Sequence, residues 1–513
     1  MSQEAKPRFL VVGAGSRGNA YSRAVVDSGL GTIAAVADPI PYKRRQLGVK
    51  YIWRDSKPSP GQEFTGWQHF LKYEQQRRKD EAAGHPTAPA IDGVFICVLD
   101  EQHVEVATAF APLGLHTMCE KPIATSLDDC LRIQKAMLEG PLSVFAIGHV
   151  LRYSPHNMML RHLLLEKRII GEIISIEHTE PVGWWHFSHS YVRGNWRKES
   201  KTAPSLLTKS CHDIDFLLWL LCSPISSNTD LKPHLPSTIS STGSLKLFKP
   251  SRKPREAGEA TNCLFCPIKE TCMYSAPRIY HDRHLAKGQA AWPVHIVDPE
   301  VEDLYLNTSP EAARQKLFQT LAEDYTLGET PREEIEARPW YGRCVWESDN
   351  DVLDDQYVTF EWEDDSTQGD TLGRQAKTAT FHMIAHSLAQ CERRGRVYGS
   401  TGEIGYDSKS ITVHGFTSDS TEVFEPEVPG NSHHGGGDDG LASQFVKAVA
   451  AVKNEGMAVE HAQREFMGCT LEEVVRSHAA VFAAEEARLG KKVVDWDEWW
   501  AKNVEGRIQA DGK

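Results

Sequence analysis

The sequence has no excess of positive charge: 57 Lys and Arg stand against 70 Asp and Glu, a formal net charge of -13. A protein that neutralises a phosphate backbone needs the opposite balance, and no basic block supplies it locally, so nucleic acid is not an expected partner. Long apolar runs are also absent. The most apolar stretch, FLLWLLC at 216–222, is far shorter than the roughly 20 residues that span a bilayer, so no membrane association is expected. MSQEAKPRFLVVGAG, at the start, lacks the charged-then-apolar pattern of a secretory leader. A disulfide framework is missing too: eleven cysteines, an odd number, are scattered over 513 residues, which fits reduced thiols in a cytoplasmic protein. What remains is 40% hydrophobic and 25% charged, in a chain too long for one average domain. That describes a globular protein of two sizeable domains.

The first of these is legible in RFLVVGAGSRGNAYSRAVVDSG, residues 8–29: a β-branched run, a glycine turn, then helical apolar spacing at Ala20, Ala24 and Val25. Gly13, Gly15 and Gly18, with Ser16 and Arg17 between them, form G-x-G-x-x-G. The first glycine permits a tight turn, the second lets the backbone approach a pyrophosphate, and the third allows close helix packing. The helix N-terminus offers free amides to the anion. The next strand, GTIAAVAD, ends in Asp38, about twenty residues past Gly18, where a ribose-binding carboxylate belongs. Asp38 favours NAD, since it would repel a 2′-phosphate, while Lys43, Arg44 and Arg45 just beyond keep NADP open. Further alternation of strand and helix follows in IDGVFICVLDEQHVEVATAFAPLG and LHTMCEKPIATSLDDCLRIQKAM, the mark of a doubly wound parallel sheet over residues 1–148.

The glycine motif, CVLDEQHVEVA with His103, and HTMCEKPIATS with Glu120, Lys121 and Pro122 together resemble the N-terminal domain of the Gfo/Idh/MocA family of NAD(P)-dependent oxidoreductases. The resemblance implies that Gly13, Gly15, Ser16, Arg17, Gly18, Asp38, His103, Glu120 and Lys121 face the dinucleotide. It also implies that Lys121 stands between nicotinamide and substrate and takes part in proton transfer. A lysine after a buried strand, beside a proline-fixed turn, can have its pKa lowered by desolvation, as a proton acceptor requires.

The family's second domain is an α+β unit with a large, mostly antiparallel open sheet, and residues 149–513 are similar to it. AIGHVLRYSPHNMMLRHLLLEKRIIGEIISIEHTEPVG reads as strand, helix, glycine stop and strand, with Arg152 and Tyr153 placed to meet substrate or nicotinamide, or else to form a helix-entry salt bridge. GWWHFSHSYVRGNWR, 183–197, crowds Trp184, Trp185, His186, His189, Tyr191, Arg193, Asn195, Trp196 and Arg197 into one run. Indole faces with fixed donors suit a polyhydroxylated ring, although a subunit interface draws on the same residue types. In SLLTKSCHDIDFLLWLL, His212 and Asp215 match the family's H-x-x-D, which implies a catalytic histidine beside Lys121. The family often carries an acid four residues before that histidine. Here the position is Thr208, and Lys209 or Asp213 stands ready to replace it.

Later segments alternate as half-buried strands do, and helices close the chain at about 440–490. His433 and His434 read as a glycine-loosened loop near the site, or as metal ligands. An insertion at about 225–345 departs from the family plan. Its Ser-, Pro- and Lys-rich start, 223–261, buries little apolar surface. Cys263, Cys266 and Cys272, in C-x2-C-x5-C, with Cys344 as a fourth, would suit a structural zinc; an iron–sulfur cluster and free thiols are the other readings. The function expected from all this is hydride transfer between NAD(P) and a hydroxyl or carbonyl carbon of a sugar, polyol or related small molecule, with Lys121 and His212 catalytic. A homo-oligomer pairing through the second sheet is expected. The alternatives are an NAD-dependent glycoside hydrolase working by transient oxidation, and a non-catalytic nucleotide-sensing subunit.

Overall fold

The computed structural model describes residues 5–222, 232–365, 373–428 and 434–507. Its first sheet has six parallel strands: β1 (Arg8–Val12), β2 (Thr32–Ala37), β3 (Glu63–Phe64), β4 (Gly93–Ile96), β5 (His116–Cys119) and β6 (Phe145–Ile147), ordered β3-β2-β1-β4-β5-β6. Helices cover both faces, so β1 and β4 are almost wholly buried and read as unbroken apolar runs. Strand order reverses between β1 and β4, and open sheets of this kind bind ligands in the crevice at that point.

The second sheet has nine strands: β7 (Ile173–Pro181), β8 (Thr238–Ser244), β9 (Asp355–Trp362), β10 (Lys377–Ile384), β11 (Arg394–Gly399), β12 (Gly402–Tyr406), β13 (Ile411–Gly415), β14 (Ser420–Phe424) and β15 (Val494–Asp495). They run β14-β13-β12-β11-β7-β10-β9-β8-β15, antiparallel except for the β7–β10 pair. One face is packed, so residues alternate: in β10, Ala379, Phe381 and Met383 are buried and their neighbours half-exposed. The packed face meets helix Cys211–Leu221, buried at every position, and helix Leu471–Gly490, whose start is fixed by a Thr470–Glu473 capping box. Among the described residues no helix is long and apolar enough to cross a membrane.

Two features depart from the sequence reading. Strand β8 lies inside the expected insertion yet pairs with β9 along its whole length, so the excursion from the sheet begins only after Ser244. In the sequence only STGSLKLF, 241–248, reads as strand-like, starting late and running past Ser244, because TISSTGS carries one large apolar residue, Ile239. Residues 223–231, the start of that expected insertion, lie outside the described residues. The excursion also has an apolar core of its own, with Ile279, Tyr280, Val294, Val301, Leu317 and Leu321 buried together. The second departure is helix Gly437–Glu455. It follows the second sheet in sequence but packs on the first, where Phe445 lies 5.7 Å from Phe9 and 5.4 Å from Phe95, ring to ring.

Candidate active site

The glycine turn is set by close backbone contacts. Gly13 has φ +95°, and a Cβ there would stand 2.3 Å from the Cys97 carbonyl oxygen; one on Gly18 would stand 2.0 Å from that of Gly13. A Cβ on Gly15 would meet nothing within 4 Å, so this residue opens on free space. Helix Ser16–Ser28 begins there with no side-chain cap, leaving its first amides for an anion. Asp38, buried at the end of β2, accepts from the amides of Ala14 and Ile40, both at 2.8 Å, and so fastens the turn. Arg17 joins two carboxylates: Nε reaches Glu120 at 2.8 Å, and Nη1 and Nη2 reach Asp438 at 2.8 and 2.9 Å. Burial works against the Asp438 carboxylate, but Arg17 and His434 hold it far below the usual range.

The insertion extends to this turn. His295 Nε2 lies 2.9 Å from Ser16 Oγ, with Glu302 3.4 Å from the other ring nitrogen, and Asp303 lies 3.6 Å from Arg45. Burial, then Glu302 and Asp303, push the Tyr42 phenol up to about 12. Arg44 is committed elsewhere, donating to the carbonyls of Asp38 (2.7 Å) and Pro39 (3.1 Å) and to Glu63 (3.0 Å).

Past the end of β5, the turn carrying Lys121 is clamped on both sides. His103 Nδ1 is 2.7 Å from the Pro122 carbonyl, and the Ile123 amide donates to His478 Nε2 at 3.0 Å. His103 is buried and therefore holds the lysine turn in place. Lys121 Nζ crosses to the second domain and donates to the Thr208 carbonyl at 2.7 Å. Thr208 ends a short helix, Ser205–Thr208, and His212 follows in the first turn of the next. His212 Nε2 is 2.7 Å from Arg393 Nη2. A guanidinium only donates, so Nε2 accepts and the proton resides on Nδ1, which is buried without a partner. Burial and then Arg393 hold His212 well below its ordinary pKa, so it is neutral.

Arg393 also binds Asp213 (2.6 and 3.1 Å) and Glu180 (3.1 Å), and Lys209 pairs with Glu180 at 3.0 Å and donates to Cys391 Sγ at 3.0 Å. Lys209 and Arg393 thus meet on a carboxylate from β7, and Arg393 ties His212 and Asp213 to it, although position 208 carries none. Glu180, Arg393 and Cys391 were missed in the sequence. For Glu180 a signal exists: with His178 it occupies the inward register of β7 behind Ile176, where an apolar residue is expected.

Several expected substrate contacts have other partners. Arg152 forks onto Asp215 (2.7 and 2.8 Å), and the Tyr153 hydroxyl donates to the Met467 carbonyl at 2.8 Å. Trp185 is buried against His284 and Trp292 of the insertion. Arg193 donates to the carbonyls of Arg343 (2.6 Å) and Tyr274 (2.7 Å), and Tyr191 is buried in a stack with Phe187 and Trp196. These residues fasten the segment that follows β8 to the core, because that segment covers this face. Trp196 Nε1 donates to Asp100 at 2.7 Å, linking the two domains; the Asn195 side-chain nitrogen is buried without a partner. Of that segment, His186 adjoins the charged cluster, its Nδ1 3.5 Å from Cys391 Sγ. The His434 ring lies 6.4 Å from that of His212; His433 lies outside the described residues.

Cys263, Cys266, Cys272 and Cys344 line one small cavity. Among the described residues, no group of three His, Cys, Asp or Glu side chains is arranged to hold a metal ion as it stands.

This combination, a parallel sheet with a glycine turn at its switch point and a lysine spanning to an antiparallel second domain, defines a two-domain dinucleotide-binding protein. Residues 7–146 match the GFO_IDH_MocA oxidoreductase family, described by its NAD-binding Rossmann fold. Over 145 residues it is 29% identical to inositol 2-dehydrogenase 2 of Saccharopolyspora erythraea, covering 28% of this chain and 39% of that protein. Over 131 residues it is 30% identical to 2,7-anhydro-N-acetylneuraminate hydratase of Escherichia coli, covering 26% and 34%. The match therefore spans about two fifths or less of the length of these relatives. The whole fold is similar to levoglucosan dehydrogenase in complex with NADH and levoglucosan, with a TM-score of 0.58 at 14% identity over 96% of this chain and 99% of that one.

Proposed function

We propose that the protein is an NAD-dependent oxidoreductase acting on a CH–OH carbon of a sugar, polyol or related small molecule. The observation that carries this reading is the reach of Lys121 from the end of β5 to the Thr208 carbonyl, which sets its side-chain nitrogen between the dinucleotide crevice and His212. The residues present fit the cofactor: Gly15 opens on free space, the helix amides beside it are uncapped, and the Asp38 carboxylate at the end of β2 can accept from ribose hydroxyls. NAD bound there supplies the hydride acceptor, and the protein supplies orientation and proton handling.

Lys121, acting as the free amine, is the group that takes the hydroxyl proton and becomes the ammonium as the carbinol carbon is oxidised. His212 has a different task. Its Nε2 is filled by Arg393 and burial disfavours an imidazolium, so it acts as a fixed Nδ1–H donor to the substrate oxygen. Arg393, Glu180 and Asp213 are positioning residues. NAD is preferred to NADP because two of the three cations beyond Asp38, Arg44 and Arg45, are engaged by Glu63 and by Asp303 of the insertion. The eleven unpaired thiols fit a reducing compartment such as the cytoplasm. The unpacked face of the second sheet, where Tyr357 stacks on His382 with ring centroids 3.8 Å apart, would pair two copies.

The test is NADH production with a panel of inositols, hexoses and anhydrosugars, with NADP in parallel. NADH accumulation from a polyol, faster with NAD, supports the reading; failure of every polyol to reduce either cofactor overturns it. One observation favours a second reading. A relative of this domain is named a hydratase, an activity without net redox change. Turnover of an anhydrosugar or glycoside with the cofactor returned unchanged would select it.

A further inference from the structure

The cysteine cluster plays no part in the chemistry above, yet the chain takes a particular path to assemble it. Asn262 and Arg343 form an isolated antiparallel bridge, flanked by the Cys263 amide donating to the Gly342 carbonyl and the Cys344 amide to that of Thr261, both at 2.8 Å. Cys263 and Cys344, remote in sequence, are thereby set side by side. From Cys263 the chain makes two tight turns, Lys269 N to Cys266 O at 3.2 Å and Cys272 N to Ile268 O at 2.9 Å, which return Cys272 to the same place. All four thiols line one cavity, and none is in a disulfide.

A second observation points to what the cavity takes. Arg193, 1% exposed, lines it and donates through Nη2 to Cys263 Sγ at 3.3 Å, while its Nη1 is buried without a partner. An unpaired guanidinium N–H beside four neutral thiols is costly. Beside four thiolates on a metal it becomes a charge-assisted donor to sulfur, of the kind that orients and tunes such centres. We propose that Cys263, Cys266, Cys272 and Cys344 bind a thiophilic metal centre, a zinc ion or an iron–sulfur cluster, that fastens the insertion across the Asn262–Arg343 bridge. The C-x2-C pair supplies two ligands from one turn, and Cys272 and Cys344 complete a tetrahedral set. Each thiol releases its proton to solvent on binding, and the metal undergoes no redox step in this role. The half-exposed turns bearing Cys266 and Cys272 can close on the metal, whereas Cys263 and Cys344 are fixed by the bridge.

The test uses the full chain, purified without oxygen or chelator and assayed for transition metals, acid-labile sulfide and visible absorption. About one zinc per chain with no visible band, or iron with matching sulfide and a visible band, is expected, and the two results separate the two sources. The Cys266→Ser/Cys272→Ser variant should lose the metal, and Cys222→Ser, a buried thiol elsewhere, should keep it. Wild-type protein covers the case in which the double variant does not fold: a mercurial reagent should release the metal in proportion to the thiols it titrates. Less than about a tenth of an equivalent of any such metal in wild type, also after anaerobic reconstitution, overturns the proposal. So does metal content unchanged in a folded double variant.

Discussion

Arg393 Nη2 stands 2.7 Å from His212 Nε2, closing the one lone pair through which that histidine could take a proton. The side chain that looks most like a general base is therefore held as a donor, which is why the proposed function gives proton uptake to Lys121.

The two residues should fail differently. Lys121→Ala should lower kcat by about 10²–10⁴-fold while NAD still binds, because the lost group acts on the substrate proton. His212→Ala should also lower kcat at unchanged NAD affinity, but its pH–rate profile should keep the wild-type shape. Steady-state kinetics from pH 6 to 10 with NAD titrated by fluorescence quenching reads both; a profile altered by His212→Ala and untouched by Lys121→Arg would reverse the assignment.

Asp38→Ala removes a charged acceptor expected to bind ribose and also frees the Ala14 amide. A charge-assisted hydrogen bond contributes about 1.5–3 kcal/mol, so the Kd for NAD should rise about 10–150-fold. Affinity for NADP should fall less or improve. Calorimetric titration of both cofactors against the variant checks this, and equal losses for the two would remove Asp38 as the discriminating residue.

His295 is where the insertion meets the glycine turn, through Ser16. His295→Ala should speed NADH release several-fold, measured by stopped-flow fluorescence, with little change in Tm because the rest of the insertion keeps its core. A release rate equal to wild type would mean that this contact is packing alone.

Acidification should destabilise the protein through its buried histidines. Burial lowers His189 to about 3 and His478 to about 4, so the folded chain refuses protons that the unfolded chain accepts near pH 6.5. The unfolded state then binds more protons, and stability falls as pH drops from about 6.5 toward 4, by up to about 1.4 kcal/mol per pH unit for each such histidine. Thermal melts at pH 7.5 and 5.5 should differ clearly, and coincident melts would contradict the burial of these rings.

The parts of the molecule legible in the sequence are those that chemistry writes locally. Gly13, Gly15, Gly18 and Asp38 sit within one strand–turn–helix–strand unit, so their spacing marks them, whereas Lys121, before a proline at a strand end, is marked by the resemblance of its E-K-P tripeptide to the family's. Arg393, Glu180 and Cys391 come from β7 and the chain before β11, and reach His212 and Lys209 only after the second sheet forms. Nothing in their own neighbourhoods announces them except charge in an inward register. The tryptophan-rich segment misled for a related reason: aromatic and cationic side chains suit a sugar, but they equally suit an internal seam. Arg193 and Trp185 serve such a seam, against an insertion whose packing a linear reading could not anticipate.

Helix Gly437–Glu455 carries one more consequence. Phe445 fills the space over Phe9 and Phe95, and Asp438 completes the Arg17 cradle, so the nucleotide domain is finished by residues that follow most of the second sheet in the chain. The first 148 residues cannot reach their final state as a nascent chain. They must wait, with part of an apolar face uncovered, until helix Gly437–Glu455 has been made.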